Sequence, residues 1–193
     1  MSIRKKMSNN NIILDNIMSN KQRCGWCFGD ALYEDYHDKE WGVPVYDDAT
    51  LFEFLILETF QAGLSWHTIL KKRDNFRKAF DKFDVKKVAA YNDKKLQILI
   101  EDTGIIRNQL KIKSAVSNAQ AFIKIQEEFG SFSKYIWAFV DGKPIDNKPQ
   151  TLADVPATTP LSDALSKDLK KRGFKFVGST VIYAHMQATG MVN

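Results

Sequence analysis

Apolar residues follow a helical spacing along nearly the whole chain after residue 30. In the segment that follows Asp48, for example, they fall at Leu51, Phe52, Leu55 and Ile56, in steps of one, three and four. No stretch alternates apolar and polar residues between turn signals, as a half-buried strand would. We therefore predict an all-α fold of eight to ten short helices.

The longest predicted helix covers residues 107–128. Its buried positions are expected at Leu110, Ile112, Val116, Ala119, Phe122 and Ile123. Gly104 should stop the preceding helix. Gly130 should end the long helix, because glycine readily adopts the left-handed conformation found at helix ends. Residues 141–160 hold four of the five prolines and are predicted to be a loop.

Side chains that can cap a helix stand before most of these segments. Ser, Thr, Asp and Asn accept hydrogen bonds from the first free backbone N–H groups of a helix. We expect such caps at Asp30, Asp47 or Asp48, Ser65, Asp84, Asn92 or Asp93, Ser131 and Ser162. The first helix should span Ala31–Lys39, the one capped by Ser162 should end at Lys171, and the last should span residues 177–188 and stop at Gly190.

Residues 1–22 differ in composition from the rest of the chain. They are rich in Asn, Ser and Lys and hold few apolar residues, which predicts a disordered basic leader before a helical domain at residues 23–193. This leader is too polar for a signal-peptide core. No apolar run approaches the ~18 residues that a membrane span needs. We expect a cytoplasmic protein, without a membrane partner and monomeric.

Charge is distributed unevenly along the chain. The net charge is +5, but residues 24–66 carry nine acidic side chains and a single basic one. The remainder is basic, and a basic surface suits a polyanion such as DNA. Charge alone is also compatible with ordinary solvated helix faces.

The segment at residues 170–180 joins two predicted helices by a short turn with a glycine at each end. A helix that opens at Gly178 would offer free backbone N–H groups beside several lysines, which together could bind a phosphate. This favours a helix-hairpin-helix that grips the DNA backbone, although an ordinary pair of antiparallel helices has the same pattern. The candidate DNA-backbone residues are Lys171, Gly173, Lys175, Gly178, Ser179 and Thr180.

Glu58 is a carboxylate near the end of an otherwise apolar helix. If it is buried, it would need a hydrogen-bond donor or a raised pKa. The alternative is that Glu58 lies half-exposed at the end of the helix. Gly63 and Leu64 follow on a predicted tight turn, where the leucine could act as an apolar wedge that fills the gap left by an extruded base. Simple core packing is the other interpretation of Leu64.

Aromatic residues cluster early in the chain. Tyr33 and Tyr36 are three positions apart and share a helix face, and Trp26, Trp41 and Trp66 could join them. Such a cluster would stack on a cationic purine, since aromatic faces attract both bases and positive charge. Aromatic residues at helical spacing are otherwise core residues, as we expect for Phe52, Phe76 and Phe122.

Cys24 and Cys27 form a Cys-x-x-Cys pair, with His37 nearby in sequence. A thioredoxin-like redox motif requires a βαβ setting that the helical pattern does not supply. A structural zinc site needs four ligands, and the positions of His67 and His185 suggest none. The pair alone is a weak signal for either chemistry.

Taken together, the chain resembles the bacterial 3-methyladenine DNA glycosylase I family over nearly all of residues 23–193. The blocks that carry the resemblance are RCGW at 23–26, YHD at 36–38, EWGVP at 40–44, QAGLSW at 61–66, GIIR at 104–107, SDALS at 162–166 and KRGFKFVG at 171–178. The resemblance implies a helix-hairpin-helix glycosylase fold with a small second lobe formed by the chain ends. It also implies hydrolysis of the N-glycosidic bond of 3-methyladenine in alkylated double-stranded DNA.

The resemblance also assigns roles to individual residues. Glu58 and Tyr36 would be the catalytic residues, with Glu58 accepting hydrogen bonds from the purine. Residues 173–180 would bind the backbone of alkylated DNA. The base would be flipped into a pocket and released as 3-methyladenine, with Trp26, Tyr33 and Trp66 around it and Gly63 and Leu64 in the vacated position of the duplex.

The family holds a structural zinc ion, and Cys24 and His37 match two of its four ligands. The other two, a His and a Cys, would be expected just past Asn193, so the matching ligand set is incomplete in this sequence. Two other functional classes remain open from the residues themselves. One is a non-catalytic DNA-binding module, which needs no carboxylate beside an aromatic cavity, and the other is a dithiol or metal protein that uses Cys24 and Cys27.

Overall fold

The computed structural model describes residues 23–193, and the predicted leader at residues 1–22 lies outside them. Over the described range the chain forms nine α-helices and no strand beyond an isolated bridge between Ile145 and Val192. The all-α prediction is confirmed. The helices are α1 (Ala31–Lys39), α2 (Asp48–Gln61), α3 (Trp66–Ala79), α4 (Val85–Ala89), α5 (Asp93–Glu101), α6 (Gln109–Phe129), α7 (Phe132–Trp137), α8 (Pro160–Lys171) and α9 (Ser179–Ala188).

Most of the predicted caps are present. The Asp30 carboxylate accepts hydrogen bonds from the N–H groups of Leu32 and Tyr33, and Ser65 accepts one from Thr68. Four more of the caps predicted from sequence are formed, by Asp47, Asp84, Asn92 and Ser131. The positions of these helices are therefore determined by local chemistry at their first turns.

The beginning of α8 differs from the prediction. Thr159 is the N-cap, and Ser162 lies three residues inside the helix, where the two side chains bond each other's backbone N–H in a capping box. Pro160 occupies the first helical position, which proline favours because its missing N–H would be unpaired there. The preceding loop is therefore one residue shorter than predicted.

The long helix α6 begins at Gln109, because Asn108 caps it. The prediction that Leu110 is buried is wrong, because this side chain is 69% exposed. Its neighbour Lys111 is buried instead. The apolar spacing failed here because the first turn of α6 faces the polar end of another helix and not the apolar core. Similarly, α9 begins at Ser179 and not at residue 177, with Gly178 as its N-cap.

Helix α2 lies at the centre of the molecule. It contacts α3, α6, α7 and α9, and every residue from 51 to 60 except Glu53 is buried. A helix that is apolar on nearly all sides has to be surrounded by others. Glu58 is thereby carried into the interior. None of the helices within residues 23–193 is long and apolar enough to cross a membrane.

The segment after α1 packs against the turn that follows α9. Gly42 N–H donates to Ala188 O and Val45 N–H donates to Thr189 O. Gly190 ends α9 with a φ of +68°, and a Cβ there would lie against the backbone of Val43 and Pro44. This contact joins the described N-terminal segment, which carries several aromatic residues, to the last helix.

Candidate active site

A cavity of roughly 130 Å³ opens between α1, α2, α3 and α9. The fold brings together all five predicted pocket residues around it, although they lie far apart in sequence. The complete lining is Trp26, Tyr33, Tyr36, Trp41, Glu58, Gln61, Trp66, Ala184 and Gln187. The cavity is therefore largely aromatic, with a single carboxyl group among the lining residues.

Glu58 is 3% exposed, and its Oε2 atom makes no hydrogen bond to any described residue. Burial raises the pKa of this carboxyl from 4.5 to about 8, because a carboxylate loses its hydration inside the protein. Burial therefore favours the protonated form of the Glu58 carboxyl group at neutral pH. The strong perturbation of a single group in a cleft is typical of functional sites.

Two aromatic groups form the inner part of the cavity beside Glu58. The rings of Tyr36 and Trp66 lie 5.4 Å apart, and the indole Nε1 of Trp66 is buried without a hydrogen-bond partner in the described structure. Burial, followed by the nearby Glu58 charge, raises the pKa of Tyr36, so that its phenol keeps its proton. The cavity thus presents a free indole N–H and a phenol O–H.

The outer part of the cavity is supported by stacked rings. Trp26 contacts Tyr33 and Trp41 at centroid distances of 4.8 and 5.4 Å. Tyr33 stacks on the His67 ring at 4.8 Å with an interplanar angle of 3°, and His67 is bonded in turn to the capping carboxylate of Asp30. Asp30, the N-cap of α1, therefore also helps to hold the Tyr33 ring in the cavity wall through His67. The sequence analysis did not predict this role of His67.

The acidic character of residues 24–66 is mostly compensated locally. Hydrogen bonds or ion pairs join Asp30 to His67, Glu34 and Asp38 to Arg23, Asp35 to Lys39, and Glu40 and Glu53 to Arg73. Arg73 also lies 5.2 Å from the centre of the Phe54 ring, which stacks against Trp66. A ligand in the cavity would consequently meet the Glu58 carboxyl group and not a diffuse acidic surface.

A tight turn at residues 61–64 follows α2 at the side of the cavity. Ala62 has φ −45° and ψ 115°, Gly63 has φ +81°, and Leu64 N–H donates to Gln61 O. These values describe a type II turn, which favours glycine at its third position. Leu64 is left 43% exposed, so its side chain is available at the surface as the wedge prediction requires.

The 171–180 hairpin connects α8 to α9. Its turn is held from the side by Asn118 of α6, whose amide donates to Lys175 O and accepts from Lys175 N–H. Gly173 has φ +97°, a value that favours glycine, and Gly178 opens α9 without a side-chain cap. The side chains of Lys171 and Lys175 are exposed.

Comparison with known proteins places this arrangement in a family. The family model for methyladenine glycosylase matches residues 26–193. The chain is 49% identical to DNA-3-methyladenine glycosylase 1 of Escherichia coli K12 over 172 residues, which are 89% of this chain and 92% of that protein. The chain belongs to the methyladenine glycosylase family.

Two further relatives agree with this assignment. The chain is 47% identical over 171 residues to DNA-3-methyladenine glycosylase of Haemophilus influenzae, covering 89% of this chain and 92% of that protein. A crystal structure of a 3-methyladenine DNA glycosylase I variant in complex with 3-methyladenine has a TM-score of 0.87 at 37% identity, covering 90% and 93% of the two chains. The family resemblance drawn from sequence is confirmed.

In this member of the methyladenine glycosylase family, the predicted zinc ligands Cys24 and His37 are adjacent. Cys24 N–H donates to His37 Nε2 at 3.3 Å, and His37 Nδ1 lies 3.1 Å from Asp38 Oδ1. Residues 23–193 contain no group of three or more His, Cys, Asp or Glu side chains arranged to hold a metal. The described residues therefore do not form a four-coordinate zinc site.

The same geometry weakens the dithiol interpretation. Cys27 is buried, and burial is the main cause that raises the pKa of its thiol. A reactive cysteine needs a lowered pKa, because the thiolate is the nucleophile. Three cavity residues, Gln61, Ala184 and Gln187, were not predicted, since small and neutral side chains on helices give no chemical signal in sequence.

Proposed function

We propose that this protein hydrolyses the N-glycosidic bond of 3-methyladenine in alkylated double-stranded DNA and leaves an abasic site. The observation that carries the proposal is the single unpaired carboxyl group of Glu58 inside a cavity of aromatic rings. Chemistry on a base requires that it leave the duplex stack. The base is accordingly flipped into the cavity and read there.

Recognition depends on the positive charge that N3 methylation gives to adenine within DNA. The cationic ring stacks against the tryptophan and tyrosine faces, where cation–π attraction adds to ordinary stacking. Its charge also favours the ionised form of Glu58, since a nearby opposite charge lowers the pKa of a carboxyl group. The Trp66 indole N–H and the Glu58 Oε2 atom, both unpaired in the cavity, gain partners on the base edge.

Cleavage needs modest assistance because the leaving group departs neutral. The C1′–N9 bond breaks with its electron pair passing to the cationic purine, which leaves as neutral 3-methyladenine. Water adds its oxygen to C1′ and releases one proton, giving the abasic sugar. Glu58 stabilises the positive charge that remains beside it during bond breaking, and the protonated Tyr36 helps to hold the base.

The DNA is held outside the cavity by two elements. The 171–180 hairpin binds the phosphate backbone through the free N–H groups at the start of α9 and the exposed lysines, in the manner of a helix-hairpin-helix. Leu64 enters the duplex at the vacated position, since apolar wedges fill unstacked steps. If zinc is bound, Cys24 and His37 would be two of its ligands, with two more that the described residues do not supply, and its role would be structural.

Release of bases from alkylated DNA tests the proposal directly. The wild-type protein should liberate 3-methyladenine, and Glu58→Ala should reduce this release sharply while leaving DNA affinity in place. A non-catalytic DNA-binding module would bind the same DNA and release nothing. Near wild-type turnover by Glu58→Ala would remove Glu58 from the mechanism.

A further inference from the structure

Lys111 is a buried cation that the proposed chemistry does not use. It is 5% exposed and lies in the first turn of α6. Its ammonium group donates to Phe60 O at 2.9 Å and to Ala62 O at 2.6 Å. Burial lowers the pKa of Lys111, so the protein carries a desolvation penalty to keep this group at the site.

The two carbonyl groups belong to the end of α2 and to the turn that follows it. The last four carbonyls of a helix have no partner within the helix, and Phe60 O is one of them. A cation at this end also complements the negative end of the helix dipole. Lys111 therefore ties together the helix that carries Glu58 and the 61–64 turn that presents Leu64.

The same helix also fixes the hairpin. Asn118 follows Lys111 by seven positions, which is two helical turns, or about 10.5 Å, along the same face of α6. Asn118 pairs with both backbone groups of Lys175, and the Lys111 ammonium lies 6.0 Å from the centre of the Phe176 ring. One rigid element thereby sets the distance between the turn and the hairpin.

We propose that Lys111 is a positioning residue for base extrusion. It holds the 61–64 turn so that Leu64 enters the duplex at the correct position relative to the DNA backbone that the 171–180 hairpin binds. This inference rests on the proposed function. A displacement of the wedge by about 1 Å is enough to matter, because catalysis is steeply sensitive to the placement of remote groups. Lys111 itself is not among the residues that line the cavity.

A double-mutant cycle between Lys111 and Leu64 tests the proposal. Lys111→Met keeps the apolar stem and removes the ammonium group, and Leu64→Gly removes the wedge. Single-turnover excision of 3-methyladenine from duplex DNA should fall by about tenfold or more in each variant. The double variant should be no slower than Leu64→Gly alone, since a residue that acts only through Leu64 has nothing further to lose.

Three controls separate positioning from a general structural role. Affinity for free 3-methyladenine, followed by tryptophan fluorescence, should be unchanged in Lys111→Met, because the cavity remains intact. Lys111→Arg should recover much of the duplex activity, as its guanidinium can donate to both carbonyls. Lys124→Met removes an exposed cation farther along the same helix and should behave as the wild type.

Additive losses in the cycle, or an equal loss of free-base affinity, would overturn the role of Lys111. If Lys111→Met does not fold, Lys111→Gln replaces it in the cycle, because its amide keeps one donor. Failure of both to fold would assign Lys111 to the fold as a whole and overturn the proposal. A wild-type protein that releases no 3-methyladenine would overturn the proposed function too, so the two failures are distinguishable.

Discussion

Glu58→Gln should make the protein more stable while nearly abolishing excision, and the gain should increase with pH. Burial raises the pKa of Glu58 from 4.5 to about 8. Because the folded state then binds this proton more tightly than the unfolded chain, its stabilising contribution is fully present below pH 4.5 and is lost as the pH rises towards 8. Glutamine has nearly the same shape and no proton to lose, so the variant escapes this loss.

The size of the effect follows from the width of the pH window. Each pH unit between the two pKa values corresponds to about 1.4 kcal/mol. Between pH 5 and pH 7.5 the free energy of unfolding of the wild type should therefore fall by about 3 kcal/mol relative to Glu58→Gln. For a chain of this length, such a difference amounts to roughly 6–12 °C in Tm.

Urea unfolding of both proteins at pH 5 and pH 7.5 measures this difference, and effects of all other titrating groups cancel in the comparison. Glu127→Gln, which changes an exposed glutamate on α6, is the matched control and should show no such divergence. A stability difference between Glu58→Gln and the wild type that stays constant with pH would refute the view that this carboxyl group is buried without a partner.

Three more outcomes are expected. Lys171→Ala and Lys175→Ala should each weaken DNA binding and flatten its logarithmic salt dependence by about 0.9 per lost phosphate contact; an unchanged slope would argue against the hairpin as the grip. Gly63→Ala should destabilise the turn by about 1–2 kcal/mol, since the added Cβ is strained at positive φ, and urea unfolding should detect it. Cys24→Ser combined with Cys27→Ser should lower Tm but retain excision activity, whereas complete loss of activity would support a dithiol mechanism.

Local chemistry explains which parts of the fold were predictable from the sequence. Caps such as Asp30 and Ser65 act on backbone groups two or three residues away, so the sequence contains the whole interaction. The burial of Leu110 was wrongly predicted, and that of Lys111 was missed, because the environment of that turn is created by α2, some fifty residues earlier in the chain. Burial at the first turn of a helix depends on what it meets in the tertiary structure.

The residues of the candidate site likewise divide into those that the sequence could predict and those that depend on tertiary contacts. Glu58 stood out because a carboxylate within an apolar helix is costly to bury, and the aromatic residues stood out through their clustering. The support provided by His67 depends on a hydrogen bond to Asp30 across 37 positions, and no spacing rule predicts such a contact. Pairing of the surface acids with Arg23 and Arg73 was likewise invisible, so the charge pattern overstated the acidity around the cavity.

Gly190, at the end of α9, packs closely against the backbone of residues 42–44, which lie on the other side of the cavity. Even a methyl group there would meet the backbone of Val43 and Pro44 and come within 2.7 Å of Gly42 O. These residues directly follow Trp41, one of the indoles that face the cavity. An alanine at this remote position would therefore displace the segment next to Trp41 and alter one wall of the cavity, although residue 190 does not itself line the cavity.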